Sequence, residues 1–394
     1  MNETEKIDAG QTSAMDLLKK SDRTPAQEVI NVTRASLPPL SEYTAMLQDI
    51  WDSAWLTNMG KYHETLRAQL KDYLSVGAVQ LFVNGHSALE LLLQAMDLHG
   101  EVITTPFSFA STTHAIVRNG LTPVFCDINM KDYTLDVDQL ESKITEKTSA
   151  IVPVHVYGNI CDVKRIQEIA DRHHLKVIYD AAHTFGEKLD GIGVGCFGDA
   201  SMFSFHATKV FNSIEGGAIT TRGESAELME KLYELKNFGI LGQEKVASVG
   251  ANGKMNEFAA AMGICNLRHV DEYIAKRKQV FDRYIERLRG TEGLIIPEIP
   301  DNVTSNYAYF PVRFHGFRYQ RDEVFMNLKK ENIYARKYFY PCINAYECYQ
   351  DQYRAEDTPN ALLVSKEILT LPIYPDLSLQ DVDRICNIIL HGEV

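Results

Sequence analysis

The chain has 394 residues, and its 40 Lys+Arg against 53 Asp+Glu leave a net charge of −13. Such a net charge repels a polyphosphate backbone, which argues against a nucleic-acid partner and requires local donors for any anionic ligand. Apolar residues at 45% and charged residues at 24% exclude collagen-like, coiled-coil and wholly disordered chains, and the length predicts two lobes rather than one core.

No run approaches the eighteen or so apolar residues of a membrane span, and the opening MNETEKIDAGQTS lacks the apolar stretch of a secretory signal. A cytoplasmic protein with no membrane partner is expected. The seven cysteines, at positions 126, 161, 196, 265, 342, 348 and 386, form no CxxC pair. They read as buried thiols of a reducing compartment, not as a disulfide framework or a metal site.

Residues 1–28 are polar and aperiodic and are expected to form a flexible N-terminal extension. A helix is predicted behind Ser41 in SEYTAMLQDIWDSAWL, and a second in HETLRAQLKDYL after a TNMG turn. The period then changes. VQLFVNG, EVITTPF, PVFCDI, AIVPVHVYG, KVIYDAAH, ASMFSFH and GAITTR are short apolar or alternating runs typical of buried strands. Helical stretches such as SALELLLQAMDL and DVKRIQEIADRHH separate several of them, which is the pattern of βα units. The expected fold is therefore α/β, with a mostly parallel sheet flanked by helices across a large domain at 29–270. A smaller α+β domain at 271–394 begins with the connector DEYIAKRKQVFDRYIERLRG.

In such a sheet, ligands sit beyond the carboxyl ends of the strands. Four of those ends carry useful chemistry. Gly85, His86 and Ser87 lie between a strand and a helix, where free N–H groups and the helix dipole suit a phosphate, although any βα turn wants similar residues for capping. Asp180 follows KVIY, where a buried carboxylate calls for a protonatable partner and otherwise caps the next turn. Lys209 stands 29 residues further on among apolar and small residues. A half-buried lysine loses proton affinity and becomes an imine-forming amine. With Ser204 as a second phosphate donor and Phe109 as a stacking ring, the inventory suits pyridoxal 5′-phosphate.

The segments VIYDAAHTFG, GDASMFSFHATKVFNSIEGGAITT and ANGKMNEFAAAMG, with WLTNMG, EVITTPFSFAST, TPVFCDI and VHVYG in order, closely resemble the DegT/StrS family of nucleotide-sugar aminotransferases. The resemblance runs from about Val29 to the end of the chain. FSFHATKVFNSIEGG, ANGKM and ARKYFYP look most like the members that make dTDP-4-amino-4,6-dideoxyglucose. The resemblance implies a fold type I enzyme with a seven-stranded sheet, using pyridoxal phosphate, with glutamate and a nucleotide-linked keto sugar as partners. It implies Lys209 as the imine-forming proton carrier, Asp180 on the pyridine nitrogen, Phe109 on the ring face and His183 beside the ring hydroxyl. It also implies Ser204 and the backbone of Gly85 and His86 on the phosphate, joined by Asn252 from the second subunit of an obligate homodimer. Position 86 is usually Thr in the family, so Ser87 is expected to supply the missing hydroxyl. Arg336 and Tyr338 are candidates for touching the sugar, against a packed aromatic cluster. His155 and His206 read as structural.

Rival readings are amination at C3 or of another nucleotide sugar, a related dehydratase, and a cofactor-binding regulator. Lys209 argues against the dehydratases, which the family pattern gives a His at that place, and no basic stripe supports a regulator. The absence of GxGxxG argues against a nicotinamide enzyme and the absence of GxSxG against a serine hydrolase.

Overall fold

A computed structural model describes residues 29–392; the expected extension at 1–28 lies outside the described residues. The seven apolar runs become seven strands: β1 (Ala78–Phe82), β2 (Glu101–Thr104), β3 (Thr122–Phe125), β4 (Thr148–Val152), β5 (Lys176–Asp180), β6 (Ala200–Ser204) and β7 (Gly217–Thr221). They form one sheet in the order β3-β2-β4-β5-β6-β7-β1. Only β7 is antiparallel to its neighbours, so the other six end on one edge.

The middle of each strand is mostly buried because both faces of the sheet are covered. Phe82, Val102, Ile178, Met202 and Ile219 pack on one side with α3 (Gly85–Ala95), α4 (Ala110–Arg118) and α6 (Ala226–Lys236). On the other face Leu81, Phe203 and Ala218 pack against α2 (Lys61–Leu74) and α7 (Glu257–Leu267), and Ile103, Val177 and Tyr179 pack against α5 (Val163–His173). The alternation along each strand is the period of two expected of a pleated sheet.

Helix α1 spans Leu40–Ser53 with Pro39 at its cap and no side-chain cap bond, so Ser41 lies inside the helix rather than at its cap. Pro39, at φ −52°, already sets the helical entry that a serine cap would otherwise provide. A second core forms around α8 (Val270–Leu288), α9 (Arg321–Lys330), α11 (Leu379–His391) and a three-stranded antiparallel sheet of β8 (Leu294–Ile295), β9 (Phe310–Phe314) and β10 (Ile368–Leu371). Helix α10 (Pro359–Glu367) leads into β10. Ile30 belongs to this second core, and Ile30–Asn31 pairs with Ile333–Tyr334.

All seven cysteines are free, but Cys348 is exposed and Cys196 is only partly covered. The expectation of uniformly buried thiols is corrected there, since Cys348 sits in a surface turn with no strand or helix face to bury it. Among the described residues, no helix is long and apolar enough to cross a membrane.

Candidate active site

The edge where six strands end gathers most of the expected residues. Gly217 opposes both Phe82 and Ser204 in the sheet, which sets the start of α3 against the end of β6. The approach is tight. A Cβ on Gly85 would lie 2.8 Å from Ser204 Cβ, and one on Gly217 would lie 2.6 Å from Gly85 N, so glycine is required at both places. The Asn84 side chain caps α3 by accepting from Ser87 N at 2.8 Å. That bond uses the Ser87 N–H and leaves its hydroxyl and the first N–H groups at the positive end of an eleven-residue helix, with Ser204 packed beside Gly85. The cradle fits a phosphate.

The His86 ring is turned to α4. Its Nδ1 lies 2.9 Å from Ser111 Oγ and its Nε2 lies 3.5 Å from Glu90. Its contribution to the cradle is thus its backbone.

Asp180 ends β5 and is 5% exposed. Its Oδ2 accepts from Thr112 Oγ1 at 2.7 Å and its Oδ1 from Ala182 N at 3.1 Å, so it holds the next turn. Burial raises its pKa, while Thr112, the Ala182 N–H and Lys209 oppose that shift. Thr112 is itself placed by Ser108, 3.0 Å away.

Lys209 stands five residues past Ser204 in the turn leaving β6. Burial pulls its amine down to about 8, against the opposite pull of Asp180 and Tyr338. Among the described residues none holds this amine in a hydrogen bond or ion pair. An unpartnered, desolvated amine is available to form an imine.

His183 is buried and kept neutral, its pKa well below the usual value through desolvation first and Lys209 second. Its Nδ1 accepts from Tyr157 N at 3.0 Å, so the ring proton is on Nε2. Tyr309 packs on this ring at 4.6 Å and Phe339 lies parallel to it at 6.1 Å. Phe109 heads α4 and is 61% exposed, its ring open for stacking. Tyr338 is partly buried and close enough to Lys209 to bias its proton. Arg336 is exposed, fixed through its backbone to Thr370, with its guanidinium 6.0 Å from the Tyr338 ring.

Asn252 is exposed, and its strand-like pairing is to Asn237. His155 is structural in its contacts, accepting from Cys161 N at 3.1 Å and stacking on Tyr179 at 4.6 Å. His206 lies beyond the end of β6 and turns to Thr208 at 2.8 Å. No group of three or more His, Cys, Asp or Glu among the described residues could hold a metal ion.

The site also contains residues that the sequence reading passed over. Thr112 lies within the quoted motif EVITTPFSFAST, so a signal existed. Asn306 and Tyr309 come from the second lobe, more than ninety residues from Lys209, and nothing in their local pattern marks them.

The family model described as "DegT/DnrJ/EryC1/StrS aminotransferase family" matches residues 40–390. A dTDP-4-amino-4,6-dideoxy-D-glucose transaminase of Shigella dysenteriae is 42% identical over 92% of this chain and 99% of its own. One of Escherichia coli is 43% identical over 92% and 98%. Among solved structures, DesI in the presence of its TDP-sugar product superposes with a TM-score of 0.88 at 32% identity, covering 93% of this chain and 94% of that one. Aminotransferases of this family use pyridoxal phosphate, and the free lysine amine, buried carboxylate and glycine-lined phosphate cradle fit it. The chain belongs to the DegT/DnrJ/EryC1/StrS aminotransferase family.

Proposed function

We propose that the chain moves the amino group of L-glutamate to C4 of dTDP-4-keto-6-deoxy-D-glucose, giving dTDP-4-amino-4,6-dideoxy-D-glucose and 2-oxoglutarate. The acceptor rests on the two transaminases above. The chemistry rests on one observation: a desolvated lysine amine without a partner, close enough to a buried Asp180 to feel its charge.

Pyridoxal phosphate, when bound, supplies a protonated ring that takes up the electron pair left at a substrate carbon. Lys209 accepts and returns the proton at that carbon, and a pKa near 8 keeps part of the amine neutral for the task. Asp180, held in place by Thr112 and Ala182, would present its carboxylate to the ring nitrogen. His183 would donate from Nε2 to the ring hydroxyl. Phe109 would cover one face of the ring. Gly85 and His86 through their N–H groups, with the Ser87 and Ser204 hydroxyls, hold the phosphate, and Asn252 joins them from the second subunit of a homodimer. Its exposure in a single chain suits such a reach. Arg336 and Tyr338 face the nucleotide sugar, carried by a small domain at 271–394. A cytoplasmic site fits the seven unpaired cysteines.

A second reading has its own support. GDP-perosamine synthase of Vibrio cholerae is 30% identical over 87% of this chain, which supports another nucleotide-linked keto sugar as an alternative acceptor. Product NMR with dTDP- and GDP-linked substrates decides between them.

The primary test is the absorption of protein mixed with pyridoxal phosphate, before and after glutamate, for wild type and Lys209→Ala. A band near about 410–430 nm that glutamate bleaches in wild type alone is expected. A Lys209→Ala protein that behaves like wild type would overturn the assignment.

A further inference from the structure

Asn306 carries an acceptor that the fold leaves unused. It is 1% exposed. Its backbone N–H donates to Glu187 Oε1 at 3.0 Å, and its amide nitrogen donates to the carbonyls of His183 at 2.9 Å and Phe185 at 3.1 Å. Both amide hydrogens are therefore committed, and reversing the amide would set its oxygen against two carbonyl oxygens. The orientation is fixed. That leaves Oδ1 fully buried with no partner among the described residues, a state that costs about 1–3 kcal/mol unless something meets it.

Asn306, Lys209, His183 and Tyr309 line one cavity of about 10 Å³, the room of roughly one water. The cavity thus brings together a side chain with an unmatched acceptor and one with an unmatched donor.

We propose that Asn306 is a positioning residue for Lys209, its Oδ1 accepting through one water from the Lys209 amine whenever that amine is not bonded to the cofactor. The inference rests on the function proposed above and extends it to the state in which the lysine is free. No bond is made or broken at Asn306. It orients the amine so that the nitrogen lone pair faces the reacting carbon, and it favours the ammonium form once the proton has been taken. The other groups that bias this amine are Asp180 and Tyr338, with His183 and Tyr309 on the cavity wall.

Two replacements separate this role from that of a strut. Asn306→Leu and Asn306→Asp both lose the two amide donors to the 183–185 carbonyls, but only the Asp variant keeps an acceptor. With L-glutamate in single-turnover experiments, Asn306→Leu should lower the saturating rate about tenfold with KM changed less than about twofold, and Asn306→Asp should stay within about threefold. A readout independent of turnover is the pH dependence of pyridoxal phosphate capture by the cofactor-free chain, which follows the neutral fraction of Lys209. Its midpoint should fall in Asn306→Leu and rise in Asn306→Asp. Equal losses in both variants with an unmoved midpoint would make Asn306 a strut and overturn the proposal. A wild-type crystal structure in the pyridoxamine form needs no variant. A water within hydrogen-bond reach of both Lys209 Nζ and Asn306 Oδ1 is expected, and its absence overturns the proposal. Lys209→Ala is the control that isolates the parent reading: if it still forms the absorption band, the function assignment fails, whatever Asn306 does.

Discussion

Lys209 and Lys236 both lose proton affinity through desolvation, to about 8 and about 7, yet they sit in opposite kinds of environment. Lys236 ends α6 and is wholly buried. Its amine donates to Gln80 Oε1 at 2.8 Å and Leu81 O at 2.9 Å, with His63 Nε2 at 3.4 Å. Lys209, in the turn after β6, has no such contact. A depressed pKa alone therefore does not distinguish a working lysine from a structural one. The unfilled hydrogen-bonding capacity is what differs: Lys236 ties strand β1 to the end of α6, whereas the Lys209 amine keeps its donors unused within the chain.

The largest effect expected from this contrast is in activity. Lys209→Ala should lower the glutamate half-reaction at least about a thousandfold while shifting the thermal midpoint less than Lys236→Met does, since the Lys209 amine makes no direct hydrogen bond within the chain. A large stability loss in that variant would erase the distinction between the two lysines.

Glu187 tests the same idea with an acid. Its buried Oε2 has no partner among the described residues, and burial raises its pKa to about 8, opposed by the Asn306 N–H and Ser305. The native state then holds a proton that the unfolded chain releases near 4.5. Wild-type stability should fall relative to Glu187→Gln as pH rises from about 4.5 to about 8, by a few kcal/mol in total. Urea melts of both proteins at pH 5 and pH 9 measure it, and a pH-independent difference would contradict the burial account.

Lys236→Met should do the reverse of Lys209→Ala. It leaves Gln80 Oε1 and Leu81 O unpaired and should cost about 2 kcal/mol by urea melts, with the saturating rate within about threefold of wild type. The pH sign also follows. The buried lysine binds its proton less well than the unfolded chain between about 7 and 10.5, so wild type should gain stability relative to Lys236→Met as pH rises through that window.

The smallest effect concerns the cradle. His86 turns its ring to Ser111 and Glu90, so His86→Thr should leave pyridoxal phosphate affinity within about threefold, measured by titrating cofactor absorbance. A larger loss of affinity would place the ring, not only the backbone, at the phosphate.

Much of this architecture was legible in the chain itself. The seven strand runs are continuous and apolar because helices cover both faces, and continuity of that kind is visible locally. The chemistry at strand ends was legible for a related reason: Asp180 and Lys209 are ionisable residues in apolar company, and such placements are costly enough to stand out. Ser41 misled because a capping residue and a proline competed for one helix start. Cys348 misled because exposure of a thiol leaves no mark on sequence spacing.

The sequence by itself determined the α/β sheet, the glycine and small-residue turn before α3, and the pairing of a carboxylate with a lysine at the carboxyl edge. These depend on periodicity and on the cost of burying charge, which neighbouring residues already express. Only the tertiary structure decided which hydrogen-bonding atoms remain unmatched. That Lys236 is satisfied while Lys209 makes no direct hydrogen bond, that His183 carries its proton on Nε2, and that Asn306, which lines the same cavity as Lys209, keeps an unused acceptor depend on partners up to 173 residues apart. Such pairings have no period for a sequence to display.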